Sequence, residues 1–325
     1  MHRVPTGKTR AVRKVAGLTV AVVVVLGIAA FAWARATANS ASASPAPAAA
    51  ASAKATAAAK ATSVTATTST RTYSLTAGGL KRGYEVIAPV AALPKSAPVI
   101  VMLSGINSTV ADEISRDRLV DYAAADKAEV VYPVAFGESW NAIGCCGKAA
   151  AGNVNDLAFL KALVAAVDPG HARPVYIVGY SNGARMAYRV ACDDPGLFDG
   201  YATVKGVPTA GCSIRQPVDL VQLASVNDPE VPYKPGDKGS TTEVPVTTLV
   251  AQLHAAEKCP AASTATHSGE MTLTTWSGCA GGTRLGSAVW SGGVHAFPRP
   301  PGSVPAAAQV IWSFFTKTAL APLPG

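Results

Sequence analysis

A doubly wound, mostly parallel α/β sheet is the fold class this sequence predicts, and three observations predict it. Apolar runs at 98–103, 128–132 and 174–178 are short, dense and bounded by turn residues, the pattern of strands buried on both faces. Helical periodicity lies between them, as at 156–167, where Leu157, Leu160, Val164 and Val167 share one stripe before Pro169-Gly170 stops the helix. The body from Arg71 to Gly325 is long enough to bury one sizeable core.

The remaining elements follow in order. Residues 73–75 and 84–88 flank Gly78-Gly79 and predict an opening antiparallel hairpin. Further strands are expected at 201–204 and 220–226, then a helix at 246–258, strands at 271–275 and 285–290, and a closing helix. That helix is expected to start from a Ser303 cap and Pro305, presenting Val310, Ile311, Phe314 and Phe315 to the sheet.

Charge separates the body from the arm that precedes it. Residues 1–70 carry eight basic side chains and no acidic ones, so the other 20 Lys and Arg balance the 20 Asp and Glu of the body. The formal charge of +8 therefore belongs to the arm. A neutral body gives no footprint for nucleic acid, and no nucleic-acid partner is expected. Within residues 1–35, a basic stretch ending at Arg13-Lys14 precedes an uncharged, largely apolar run at 15–33, which reads as a signal peptide or a membrane anchor. Small-residue triplets at 34–38 favour cleavage; the length of the run favours retention. Either way the body is expected outside the cell, with membrane contact only through 15–33 if that run is retained. At 36–70, 29 of 35 residues are Ala, Ser or Thr, too little apolar surface to offset ordering, and a disordered linker is expected.

Six cysteines in an exported body predict disulfides. Cys259 and Cys279 flank one short polar excursion and form the expected pair, while Cys145 and Cys146 are expected to reach Cys192 and Cys212 in either order. A zinc site would need paired C-x-x-C units or histidine at ligand spacing, and neither occurs, so no metal is expected.

The chemistry concentrates in Gly179-Tyr180-Ser181-Asn182-Gly183, which follows an expected strand and opens a helix with Ala184, Ala187, Tyr188 and Ala191 on one face. That context is a nucleophile elbow: small neighbours let the backbone turn sharply and lift Ser181 to the carboxyl edge of the sheet, the arrangement of an α/β-hydrolase fold. A serine hydroxyl needs a base and an orienting acid, here in the chain order Ser, acid, His. His2 and His171 come too early, His254 lies in an expected helix and His267 in a polar stretch. His295 follows an expected strand in a Gly-led loop and is the expected base. Asp228 follows the strand at 220–226 and is the expected acid, ahead of Asp193, Asp194, Asp199 and Asp219. Oxyanion donors are expected from the N–H groups of Asn182 and Ile106.

Beyond the triad, the chain resembles the secreted polyhydroxybutyrate depolymerase and feruloyl esterase group. The resemblance runs through Leu103-Ser104-Gly105, Trp140-Asn141, Gly144-Cys145-Cys146-Gly147, Asn155-Asp156-Leu157, Ser181-Asn182-Gly183-Ala184-Arg185-Met186-Ala187, Asn227-Asp228-Pro229-Glu230 and Gly293-Val294-His295-Ala296-Phe297-Pro298. It implies that Ser181, Asp228 and His295 are nucleophile, acid and base. Three positions depart from that group's pattern: Ser104 replaces a His before Gly105, 224–227 lacks a His-Gly-Thr type segment, and Phe297 replaces Trp. The departures touch the oxyanion loop and the substrate wall, for which Ser104, Trp140 and Tyr233 are candidates. The expected activity is carboxylic-ester hydrolysis without cofactor, on polyhydroxyalkanoate or on feruloyl or acetyl esters of polysaccharide. Acyl transfer at the cell envelope, or a silent wall-binding homologue, are the alternatives on the same residues.

Overall fold

The computed structural model describes residues 67–239 and 243–324; the apolar run at 15–33 and nearly all of the linker at 36–70 lie outside the described residues. Among the described residues no helix is long and apolar enough to cross a membrane.

The chain opens with β1 (Thr68–Ala77) and β2 (Leu80–Pro89), an antiparallel hairpin turning at Gly78-Gly79, both at positive φ. β1 thus begins three residues ahead of the boundary read at residue 71, because Thr68 to Thr70 pair with Pro89 to Ile87. Then follow β3 (Val99–Leu103), α1 (Val110–Asp117), α2 (Val120–Ala124), β4 (Glu129–Pro133), α3 (Gly147–Ala151) and α4 (Asp156–Val167). After them come β5 (Val175–Tyr180), α5 (Asn182–Asp193), β6 (Gly200–Val204), β7 (Leu220–Ser225) and α6 (Val246–Ala256). The chain closes with β8 (Thr264–Ser268), β9 (Met271–Ser277), β10 (Arg284–Trp290) and α7 (Ala307–Thr316).

All ten strands join one sheet in the order β1-β2-β4-β3-β5-β6-β7-β10-β9-β8. The middle of the sheet, from β4 to β10, is parallel, and the pairs at both ends are antiparallel. The central strands feed both faces: Val99, Val101 and Leu103 of β3 belong to the apolar cluster on the side of α4, α5 and α6, and Ile100 and Met102 to the one on the side of α2 and α7. That double burial produces the unbroken apolar runs. The closing helix is capped at Ala306 instead of Ser303, with the Gln309 side chain accepting from the Ala306 N–H at 2.7 Å. Helical periodicity begins only beyond Pro305, whose carbonyl accepts from the Trp290 indole at 3.1 Å. The hairpin β8–β9 extends the sheet past β10, and β8 was not expected because its residues are polar and mostly exposed.

Cys259 pairs with Cys279 as expected; the other four pair differently, Cys145 with its neighbour Cys146 and Cys192 with Cys212. The reason is helix length. Cys145 lies 3.8 Å from Arg185 in the first turn of α5, whereas Cys192 stands seven residues further on, about 10 Å along the axis.

A buried ion pair joins the opening hairpin to the body. Arg82 of β2 meets Asp156 of α4 at 2.8 Å, the Arg82 guanidinium lies 4.2 Å from the Phe159 ring centroid, and Asp156 also accepts from the Asn141 N–H at 2.8 Å. Asp156→Ala strands the guanidinium and should lower unfolding free energy by about 3–5 kcal/mol in urea denaturation. Glu257, after α6, is buried, and neither carboxyl oxygen has a hydrogen-bond partner among the described residues. Burial pushes this carboxyl up to about 8; the nearby Val218 amide, too poorly placed for a hydrogen bond, works against that shift and the charge of Asp219 adds to it. Because the folded group binds its proton more tightly than the unfolded one, its contribution is fully present below about pH 4.5 and is lost as pH rises toward 8. Glu257→Gln should therefore match wild-type stability near pH 4 and exceed it by roughly 2–4 kcal/mol near pH 8, measured by urea titration at both pH values.

Candidate active site

The site forms where the parallel strands end, on the loops after β3, β4, β5, β6, β7 and β10, as open α/β sheets generally place theirs. At its centre the chain passes from β5 into α5 through one residue, Ser181, with φ 50° and ψ −111°. Its N–H donates to the Val204 carbonyl at 2.9 Å, which fixes the turn against β6. Two glycines make the turn possible. A Cβ on Gly179 would collide with the Gly183 carbonyl, and one on Gly183 would lie 2.7 Å from the Ser104 oxygen and collide with the Leu103 carbonyl. The first turn of α5 therefore rests directly on the end of β3.

The structure brings Ser181, His295 and Asp228 together. His295 Nε2 lies 2.9 Å from Ser181 Oγ, and Nδ1 lies 3.0 and 3.1 Å from the two oxygens of Asp228. His295 sits on the loop after β10, where the Tyr180 hydroxyl donates to its carbonyl at 3.0 Å. Asp228 sits just after β7 and accepts the N–H groups of Glu230 at 2.9 Å and Val231 at 3.1 Å. Burial opposes ionisation of this carboxyl; the bond to His295 and the two amides outweigh it and hold Asp228 below its ordinary range. Its carboxylate is therefore ready to orient the imidazole with Nδ1 as donor and Nε2 facing the serine.

Of the backbone amides near the elbow, the two expected as oxyanion donors are unpaired among the described residues. The Gly105 N–H is taken by Glu113 at 3.0 Å and the Asn107 N–H by the Glu138 carbonyl at 2.9 Å, while those of Ile106 and Asn182 find no acceptor among the described residues. Asn182 has a second task. Its side-chain oxygen accepts from the Trp140 N–H at 2.7 Å and its amide donates to the Trp140 carbonyl at 3.0 Å, tying the loop after β4 to the helix start.

The expected substrate wall is corrected. Trp140 has no solvent exposure; it stacks near Phe159 and donates its indole N–H to the Ser104 carbonyl at 3.1 Å. Ser104 is itself buried, and the cavity of about 350 Å³ that it lines includes none of Ser181, Asp228 and His295. Tyr233 packs against the core and lines a cavity of about 350 Å³ with Val226 and Trp276, whose lining includes none of Ser181, Asp228 and His295. For Trp140 the fixing partners, Asn182 and Ser104, lie 42 and 36 residues away in the chain.

Three groups at the site escaped the sequence reading. Lys205, just after β6, places its ammonium 3.4 Å from Asp228. Its signal was available, a lone charge closing an otherwise buried strand. Glu230 brings an exposed carboxylate 3.5 Å from His295 Nε2. Arg116 pairs with Glu113 at 2.6 Å and lies 5.1 Å from the Tyr180 ring centroid, linking the loop after β3 to the histidine loop, with no sequence signal beyond an amphipathic helix. Elsewhere, Glu257, Cys259 and Cys279 cluster closely enough to ligate a metal, but the two sulfurs are joined to each other and are not thiolates.

Asn182→Ala would leave the buried Trp140 N–H without its acceptor, while the Trp140 carbonyl keeps the Cys146 N–H at 2.9 Å. A loss of about 2–3 kcal/mol in denaturant unfolding is expected.

No family model matches the chain. Over 178 residues it is 32% identical to a protein of Nocardia uniformis subsp. tsuyamanensis described as "Putative esterase NocK", a match covering 51% of this chain and 50% of that protein. The chain thus spans about half the length of the curated relative it matches. Among solved structures it is similar to an acetyl xylan esterase from Aspergillus awamori, with a TM-score of 0.52 and 15% identity, covering 76% of this chain and 99% of that one. Strand order and this structural likeness together show that the chain has an α/β-hydrolase-like fold on a mostly parallel central sheet.

Proposed function

We propose that the chain is an exported serine esterase that hydrolyses carboxylic esters through an acyl-enzyme. The observation that carries this reading is the unbroken path from Ser181 Oγ through His295 to Asp228, at 2.9 and 3.0 Å, with the N–H groups of Ile106 and Asn182 unpaired among the described residues. The esterase names of the Nocardia relative and of the structurally similar Aspergillus enzyme support the choice of ester over other acyl compounds.

In the first half of the reaction His295 Nε2 takes the Ser181 hydroxyl proton as Oγ bonds to the ester carbonyl carbon. The N–H groups of Ile106 and Asn182 stabilise the oxyanion. The bond to the alcohol oxygen then breaks, and the imidazolium returns its proton to that oxygen. In the second half a water molecule gives its proton to His295 as its oxygen bonds to the acyl carbon. Collapse expels Ser181, which recovers the proton, and the free acid leaves. Asp228 stays ionised throughout and steadies the imidazolium.

The substrate class follows the resemblance to polyhydroxybutyrate depolymerases and feruloyl esterases: polyhydroxyalkanoate, or feruloyl and acetyl esters on polysaccharide. The basic and apolar arm at 1–35 and the Ala/Ser/Thr segment that follows support secretion, with or without a retained anchor. Incubation of the full chain with p-nitrophenyl acetate and methyl ferulate tests the reading. Product release should fall at least about 1000-fold in Ser181→Ala, and a fluorophosphonate should label wild-type Ser181 alone. Equal turnover by wild type and variant would sink it.

A further inference from the structure

Lys205 is 2% exposed, an unusual place for an ammonium group. It follows β6 directly in the left-handed region, at φ 54°, and its N–H donates to the Leu223 carbonyl at 2.9 Å. The next residue is pinned as well: Gln222 of β7 donates to the Gly206 carbonyl at 3.2 Å and accepts from Tyr188 and Thr203 at 2.6 Å each. Held by this backbone, the side chain runs under the histidine loop, along a cavity of about 600 Å³ that it lines with Trp290 and Phe297. Its Nζ donates to the Val294 carbonyl at 2.8 Å and lies 3.4 Å from Asp228 Oδ2. Both contacts are one step from the imidazole, since Val294 precedes His295 and Asp228 holds its Nδ1.

We propose that Lys205 is a positioning residue of this site, whose buried ammonium clamps the acid loop to the histidine loop and sets the pH range over which His295 is a free base. The proposal rests on the Ser181, His295 and Asp228 roles given above. Burial works against the charge on Lys205 and lowers its pKa from the ordinary value; the charge of Asp228 and the contact with it oppose that shift. The ammonium is held there by Asp228 and Val294 together. Removing either side of such a buried contact leaves the other uncompensated.

The charges facing His295 can be named. Asp228 touches Nδ1 and Glu230 approaches Nε2. Glu243 stands nearby, paired with Arg185 of α5, and Arg116 of α1 lies behind the Tyr180 ring, itself tilted against the imidazole at 5.7 Å. Among these cations Lys205 alone contacts the carboxylate that orients the imidazole. A second positive charge on His295 must share that carboxylate with it. Without Lys205 the imidazolium forms more readily, and activity is lost at a higher pH.

The test compares the pH dependence of p-nitrophenyl acetate hydrolysis and of fluorophosphonate labelling in wild type, Lys205→Met and Lys205→Arg. The acid limb should move up by about one pH unit in Lys205→Met, about a tenfold loss of activity below the limb, and should stay within about 0.3 unit of wild type in Lys205→Arg. An unshifted limb in a Lys205→Met protein with a native circular dichroism spectrum overturns the proposal. Lys205→Gln, which keeps a donor for Val294, is the second neutral variant; if neither it nor Lys205→Met reaches the native spectrum, Lys205 is a folding residue and the proposal is wrong. Absence of labelling at wild-type Ser181 overturns the esterase reading and this one with it, whereas normal labelling with an unshifted limb overturns only the role of Lys205.

Discussion

The contact on which the carboxyl edge of the sheet depends has no side chain in it. Helix α5 begins so close to β3 that Gly183 lies against the Leu103 and Ser104 carbonyls, and Gly179 faces the Gly183 carbonyl across the same turn. That approach sets Ser181 at φ 50° and turns its hydroxyl out of the sheet. It also brings the Asn182 carboxamide within reach of both backbone groups of Trp140, so the loop after β4 is positioned by the same turn. One steric requirement thus fixes the hydroxyl, one free amide and a neighbouring loop together.

The second organising feature is electrostatic. The Asp228 carboxylate gathers two amides, an imidazole and an ammonium, from the loops after β7, β10 and β6. Its charge is distributed over partners that arrive from separate parts of the chain. Such a group holds the loops in mutual register because releasing any one of them leaves charge exposed to an apolar interior.

How much of this was legible in the sequence depended on how local each signal was. The bounds of α4 were readable to the residue because Asn155, whose side chain accepts from the Ala158 N–H, and Asp168 with the Pro169-Gly170 stop are encoded beside it. Ser181, Asp228 and His295 could be picked out because each follows a buried strand, and strand ends converge by topology. Trp140 was misread because its fate depends on Asn182 and Ser104, remote in sequence. The cysteines failed for a related reason: pairing follows distances along and across α5 that spacing does not encode. Strand β8, made of exposed Thr, Ala, His and Ser, carries no apolar period and is visible only through its pairing with β9.

That hairpin has a mechanical consequence. Without β8 and β9, the strand leading into His295 would be the rim of the sheet, bonded on one side only. With them, β10 is held by β7 on one flank and β9 on the other, and the bridge from Cys259 to Cys279 fastens the base of the added hairpin to the end of α6. Fraying, which begins at sheet margins, is displaced by two strands from the histidine loop onto a polar edge that contributes nothing to the site. The hairpin therefore acts as a selvedge: wear at the border of the fabric stops before it reaches the thread from which the imidazole hangs.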